Sequence, residues 1–522
     1  MVGTVTDDMA LIDACDSVTG WTAGGGIMTI NTEDMIEGLG CIGLKVAAST
    51  AQFAYRTITE ITTMSGKLLY VWIMGLKGTQ FETKANGGIA VRLGTNNTNY
   101  RTWYVGGSNA YRGGWECFAV DPTQGGSIAD VGTYNVNSIT YVAVGFKGSA
   151  TAVAKTNSYF DYIHYGTGLT IYGGTSGSPA TIADIMTYED TNKRGVVYKY
   201  EGVYFVQGKL KYGSTSVSSD TYFKDTSKTL SFIDRIVASN YYEIVLQGKS
   251  AQTTEVYFGT KSGTKGISGC TFMAMGTAKF KVTTTDANLT KYGFYGCTFL
   301  NADVITFPTY DVNKEVINCN FEACAMVIAS TASISYSKFL NSPAHAVQIS
   351  STSFHITYTD FISCATAIEF TAAGPYSFNS LSFSSNTYDA HNTYGSTIAV
   401  SYDSGCSPAP SSYDPAGSVV TFATSVTLTV RHVKSGNEPT TYAVVAIYKA
   451  SDMTQIMDTD ASTADDQNAG YYKASTSYTT TGIAVKVRAR YKGYLPFEVT
   501  LTIPANGLDV TAIWIADPNY TP

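Results

Sequence analysis

The chain has 522 residues, a formal net charge of −7 and only 14% charged side chains, with 49 Gly and 38 Tyr. So little charge with so many Gly and Tyr argues against disorder and helical bundles, and leaves extended β-structure with many turns. The acidic balance offers no basic face for nucleic acid, and the length suggests three or four domains.

The opening MVGTVTDDMALIDACDSVTG has no basic or apolar segment and no cleavage site, so no secretory signal is expected. No apolar run approaches the roughly 20 residues of a membrane span. The nine cysteines are odd in number and mostly spaced by a repeat, so no disulfide framework is expected and assembly in a reducing cytoplasm is.

Residues 1–175 predict an antiparallel jelly-roll sandwich, from apolar or alternating runs between Gly and Asn turns: LLYVWIMGL (68–76), GIAVRLG (88–94), YRTWYVGG (100–107), ITYVAVGF (139–146) and YFDYIHYG (159–166). Arg101, Trp103, Tyr104, Tyr111, Arg112 and Trp115 lie among Gly-rich turns. Flat rings beside guanidinium groups suit a glycan face, and equally suit a sandwich core or a subunit interface. Residues 176–268 read as a connector, beginning in the Gly/Ser/Thr-rich stretch 166–190, and then the first irregular coils of a solenoid.

From 269 to 403 the repeat is regular. Phe272, Phe299, Phe321, Phe339, Phe361 and Phe383 are separated by 27, 22, 18, 22 and 22 residues. Cys270, Cys297 and Cys319 stand two residues before the first three. An inward residue returning about every 22 positions, between short β-branched segments, predicts a parallel β-helix of three strands per coil. Phe is expected to stack on Phe and Cys on Cys. The thiols have no CxxC pairing and no His at ligand spacing, so they are read as buried and inert and not as metal ligands. The Pro/Ser-rich stretch 404–417 reads as a linker, and 418–522 as a small Ig-like or transthyretin-like sandwich.

Three resemblances follow from these residues. The DSVTGW opening and the run Phe160, Asp161, Tyr162, Ile163 resemble galactose-binding-like jelly rolls used as carbohydrate-binding modules. The Phe repeat resembles the right-handed β-helices of phage tail spikes and polysaccharide lyases. Gly436 to Pro439 and Gly493-Tyr494 resemble carboxypeptidase-regulatory-like and bacterial Ig-like modules, although the usual Thr-Asp-x-x-Gly turn is only loosely matched by Thr459-Asp460 with Gly470 displaced. Together they resemble a virion structural protein of a tailed phage, of decoration, fibre or spike type. That resemblance implies a non-enzymatic protein on the virion surface, with capsid or tail proteins as partners, a homotrimeric state, a possible host-surface glycan ligand, and neither nucleic-acid nor membrane partners.

A catalytic β-helix needs carboxylates gathered on one face. In the repeat, Glu322, Asp303, Asp360 and Glu369 stand at different offsets from the Phe markers, and Arg is absent between 269 and 390. The five His, including His345, His355 and His391, fall in no known nucleophile signature, and Gly24-Gly25-Gly26 opens no phosphate loop. No catalytic residue, metal ligand or cofactor is therefore assigned. The alternatives are a β-helix polysaccharide depolymerase, and a secreted adhesin or S-layer component.

Overall fold

A computed structural model describes residues 2–46, 48–75, 80–108, 113–152, 155–233, 242–262, 265–276, 279–284, 288–307, 314–329, 333–424, 426–434, 444–459, 464–466, 471–478, 483–504 and 507–519. The architecture is all-β: a large, mostly parallel sheet wound as a β-helix, with smaller antiparallel sheets forming sandwiches. Two units divide it, residues 1–348 and 349–522.

In the first unit the sandwich faces a six-stranded sheet against a five-stranded one. The six-stranded sheet centres on Leu68–Gly75 and Lys155–Gly166, the five-stranded on Ile139–Lys147 and Ile89–Asn96. Period-2 alternation turns Ile42, Val71, Ile73, Val91, Leu93, Val142 and Val144 into the core, where all are fully buried. The first strand, Gly3–Asp7, does not join the sandwich. It pairs antiparallel with Gly168–Gly173, which itself pairs parallel with the coil strand Lys209–Tyr212. The amino terminus thus covers the open end of the coil, where an unpaired edge would otherwise be exposed.

The connector holds a helix, Ile182–Asn192, that its Gly/Ser/Thr content hid. Its start is nonetheless written in the chain: Thr181 caps Ala183 while Asp184 reaches back to the Thr181 amide, a reciprocal capping box.

The coil has three strands per turn. One column runs Thr229–Ile233, Thr271–Met275, Thr298–Leu300, Asn320–Glu322 and Lys338–Leu340, each parallel to the next. Along it, ring centroids are 5.0 Å apart for Phe272–Phe299, 5.0 Å for Phe299–Phe321 and 4.6 Å for Phe321–Phe339, near the spacing of paired strands. The chain turns on both sides of these short strands at left-handed residues. Gly296, Asn318 and Tyr336 stand three before the Phe, and Asn301, Ala323 and Asn341 two after it. That explains the recurrent Asn, which tolerates positive φ better than most residues.

Between the left-handed residue and the Phe sits the small-residue column. Cys319 Sγ donates to the Phe294 carbonyl at 3.3 Å, and the Cys319 amide donates to Ser337 Oγ at 3.1 Å. Cys270 and Cys297 make the same kind of ladder, and all nine thiols are buried and free. Burial pushes the Cys15, Cys41, Cys297, Cys324 and Cys406 thiols up, Cys324 to about 12.

The second unit carries the same pattern. Phe361 stacks on Phe383 at 5.3 Å, and Tyr376–Ser384, Ile398–Tyr402 and Val420–Thr424 pair in parallel. The stretch expected as a linker packs on these strands: Phe383 N donates to Pro408 O, and Asp389 accepts from the Ser411 and Ser412 amides. A sandwich of two four-stranded sheets follows around Leu428, Val430, Ile447, Val487 and Trp514. Gly436 to Pro439, Asp460 and Gly470 lie outside the described residues.

Because Ser337 already fills the column position that follows Cys319, Cys319→Ser should cost about 1 kcal/mol or less. Phe321→Ala, which opens a gap inside the ring stack, should cost about 3–5 kcal/mol. Calorimetric unfolding of the full chain checks both, and equal losses would contradict the account of the stack.

Candidate functional site

The residues expected to form a glycan face are separated by the sheet. On Asn99–Gly106, Trp103 points inward and is 2% exposed, while Tyr104, one residue on, points outward. Arg101 is held by both Asp130 oxygens at 2.8 Å and by the Gln124 carbonyl at 2.9 Å. Trp115 lies on the other sheet and donates from Nε1 to Asp34 at 2.9 Å. Tyr111 and Arg112 lie outside the described residues. What Tyr104 joins is an aromatic platform on the outer face of the five-stranded sheet, with Phe53, Tyr55, Tyr100 and Tyr141 above small residues such as Ala90 and Ala143. The Arg92 guanidinium lies 3.4 Å from the Phe53 ring centroid and 4.4 Å from that of Tyr100.

The richest chemistry stands on the outer wall of the coil in the first unit, in the strand column Thr221–Asp225, Thr254–Phe258, Lys291–Tyr295 and Lys314–Ile317. Inward positions such as Val256, Phe258 and Phe294 are buried. Alternation therefore sends Tyr222, Lys224, Glu255, Tyr257, Lys291 and Glu315 outward. Register then places Tyr257 beside Gly293, and Gly293 beside Glu315. A Cβ on Gly293 would collide with the phenol edge of Tyr295, at its Cζ. The missing side chain lets that ring fold back and lie nearly parallel to Tyr257, 16° between planes and 6.2 Å between centroids.

Each tyrosine is tied to a carboxylate. Tyr295 donates to Glu315 Oε2 at 3.1 Å, and Tyr257 is bonded to Glu255. Burial first, then Glu255 and Glu315, push the Tyr257 phenol up to about 12; burial and Glu315 likewise raise Tyr295. Both rings are therefore proton donors at neutral pH. Lys291 stands 3.0 Å from Glu255. Lys261, on the hairpin Thr260–Ser262 and Lys265–Ser268, reaches over the wall to within 2.6 Å of Glu315. A hollow of about 300 Å³ is lined by Glu255, Tyr257, Tyr295 and Lys261 together with Ser176 and Pro179, and Glu315 stands beside it on the next rung.

Strands one rung apart are about 4.8 Å from each other, and positions two residues apart about 6.6 Å, so the Glu255 and Glu315 backbones are roughly 12 Å apart. Glu255 lies ahead of the regular repeat, where no Phe marker gives its phase. The usable signal was the alternating Glu-Val-Tyr in TEVYF, with its inward residues in phase with the coil.

In the second unit another group forms one column. Glu369 and His391 are register partners on adjacent strands, with ligand atoms within 4.8 Å. His391 Nδ1 stands 3.0 Å from Asp414 Oδ2. Imidazole and carboxylate are donor types that borderline divalent metals accept, so Glu369 and His391 are the pair here whose donors suit a cation, whereas no metal ligand was expected.

No family model matches the chain, and no curated protein matches it. Among solved structures, a family 11 carbohydrate-binding module from Clostridium thermocellum, in complex with a β-1,3-1,4-mixed-linked tetrasaccharide, aligns with 32% of this chain and 96% of its own, at 9% identity and a TM-score of 0.22. The catalytic domain of a GH87 α-1,3-glucanase in complex with nigerose aligns with 81% of this chain and 98% of its own, at 10% identity and a TM-score of 0.21. These likenesses are too weak to transfer an activity. The expectation of a non-enzymatic virion protein is corrected: the solved structures named here are a carbohydrate-binding module and a glucanase catalytic domain, and no finding supports a capsid, fibre, spike or homotrimer. Offsets counted from the Phe markers also left out strand register, which sets Glu369 beside His391 and places Glu315 on the same wall as Glu255, two rungs on. No helix among the described residues is long and apolar enough to cross a membrane.

Proposed function

We propose that the protein cleaves a polysaccharide on the outer wall of its β-helix, with Glu255 and Glu315 as the carboxylate pair. The observation that carries this reading is a pair of near-parallel tyrosine rings over a hollow that Glu255 lines, with Glu315 hydrogen-bonded to one of those rings. A glycan chain laid across the rungs places its C–H faces on Tyr257 and Tyr295 and its hydroxyls against Glu255, Glu315, Lys261 and Lys291. Cleavage by water then needs one carboxyl group to protonate the leaving glycosidic oxygen and the other to take up the charge or the proton at the anomeric side. The bond between anomeric carbon and oxygen breaks, and the water hydroxyl ends on that carbon. Tyr257 and Tyr295 act as positioning residues that hold the carboxylates by donated hydrogen bonds. The partly exposed rings of Tyr55, Tyr100 and Tyr104, with Arg92 against Tyr100, serve as an anchoring surface for the same polymer.

Reducing-end release from a panel of polysaccharides by the full chain tests this. Glu255→Gln and Glu315→Gln should each lower the rate on the cleaved polymer by about 10²–10⁴-fold. Wild-type rates in both variants, or no release from any polymer, would overturn it. Gly293→Ala should lower the rate by displacing the Tyr295 ring while leaving the unfolding midpoint of the sandwich unchanged. Since the Tyr257 phenol is held near 12, Tyr257→Phe should reduce the rate without moving either limb of the pH profile below about pH 10.

A further inference from the structure

Within the first unit, the wall between the sandwich and the first coil strands is a fixed junction. Gly195, at φ +73°, presses its backbone on Cys117 and Trp72, where a Cβ would collide with the Cys117 sulfur. Gln207 Nε2 donates to the Cys117 carbonyl at 3.0 Å and to that of Gly195 at 2.6 Å. Buried Glu189 accepts from the amides of Gly195, Val196 and Val197, which spends its carboxylate on the backbone.

Two adjoining hollows, of about 430 and 530 Å³, open on this junction and share Trp72, Lys193, Tyr198 and Lys199. The larger-ringed side is the outer face of the six-stranded sheet, where Trp72 lies directly opposite Cys117 and Trp115 opposite Met74. Both indoles are anchored by their N–H groups: Trp72 donates to the Lys193 carbonyl at 2.7 Å, and Trp115 to Asp34 at 2.9 Å. Their faces are what remains to offer. Across from them, Val197–Tyr200 presents Tyr198 and Tyr200, the latter 52% exposed. Among the described residues no ion pair reaches Lys193 or Lys199, in contrast to Lys261 and Lys291 on the catalytic wall.

We infer that this cleft is a second saccharide site, separate from the Glu255–Glu315 wall, that binds a carboxylate-bearing sugar such as a uronate unit. Fixed indole faces take the C–H face of the pyranose at little ordering cost; the ammonium groups of Lys193 and of Lys199, the latter 5.6 Å from the Tyr204 ring centroid, take the acid, with Glu116 and Asp190 also lining the hollows. The choice of a sugar rests on the glycan-directed reading above; the site itself does not depend on cleavage.

The test is calorimetric titration of the full chain with trigalacturonate and, in parallel, with neutral cellotriose, at low and moderate salt. Trigalacturonate should bind, weaken with added salt, and bind about tenfold or more weakly to Trp115→Ala and to Lys193→Gln/Lys199→Gln. Glu315→Gln, which disables the catalytic wall, should bind it as the wild type does. Failure of trigalacturonate to bind, equal binding of cellotriose, or binding unchanged in the cleft variants would each overturn the inference. A folded Lys193→Gln/Lys199→Gln chain, verified by its unfolding midpoint, keeps the result interpretable if Trp115→Ala is unstable. Loss of cleavage in Glu315→Gln with retained binding separates this cleft from the proposed active wall.

Discussion

The structure depends on like residues meeting like residues across parallel strands. Each coil donates its backbone hydrogen bonds to the next, and Phe272, Phe299, Phe321 and Phe339 come to lie ring on ring at the strand spacing. A stack of this kind needs no unique partner for each side chain, only the same kind of residue at the same phase. Its demand is conformational: the chain must turn sharply on both sides of a short strand, and residues such as Asn318, Ala323 and Tyr336 sit at positive φ to allow it.

Once the inside is filled by repetition, the outside is free to vary. The outward positions of consecutive rungs fall into columns a few ångströms apart, so residues distant in sequence become neighbours without any loop to carry them. Glu255, Tyr257, Tyr295 and Glu315 meet in this way, and Gly293 matters because its missing side chain lets the Tyr295 ring lie flat against the wall. At the junction with the sandwich the same logic runs in reverse. There the wall is closed by Gly195, Gln207 and Glu189, which leaves a rigid cleft between indole faces and lysines.

The inner half of the molecule was largely legible. The Phe period, the Cys positions and the alternating strands of the sandwiches predicted core, column and fold class, because burial imposes a phase that composition betrays. The residues expected to share a glycan face are divided by the pleat and by the two sheets. Tyr104 does stand on the aromatic platform, but Trp103 beside it faces the core, and Trp115 belongs to the other sheet. Richness in aromatic residues marks a region, while the parity of each position decides which face it serves. The helix Ile182–Asn192 was masked by small polar residues, although Thr181 and Asp184 spelled its cap.

By itself the sequence determined that this chain is all-β and that its centre is a coil built on stacked Phe and small thiol or hydroxyl residues, since periodicity and burial are local properties of a string. Only the tertiary structure decided which carboxylates share a wall. That choice turns on register between strands dozens of residues apart, as Glu255, Lys291 and Glu315 show, and register is set by how many residues each turn absorbs. The intervals between the Phe markers vary from 18 to 27 residues, so no fixed offset along the chain carries that information.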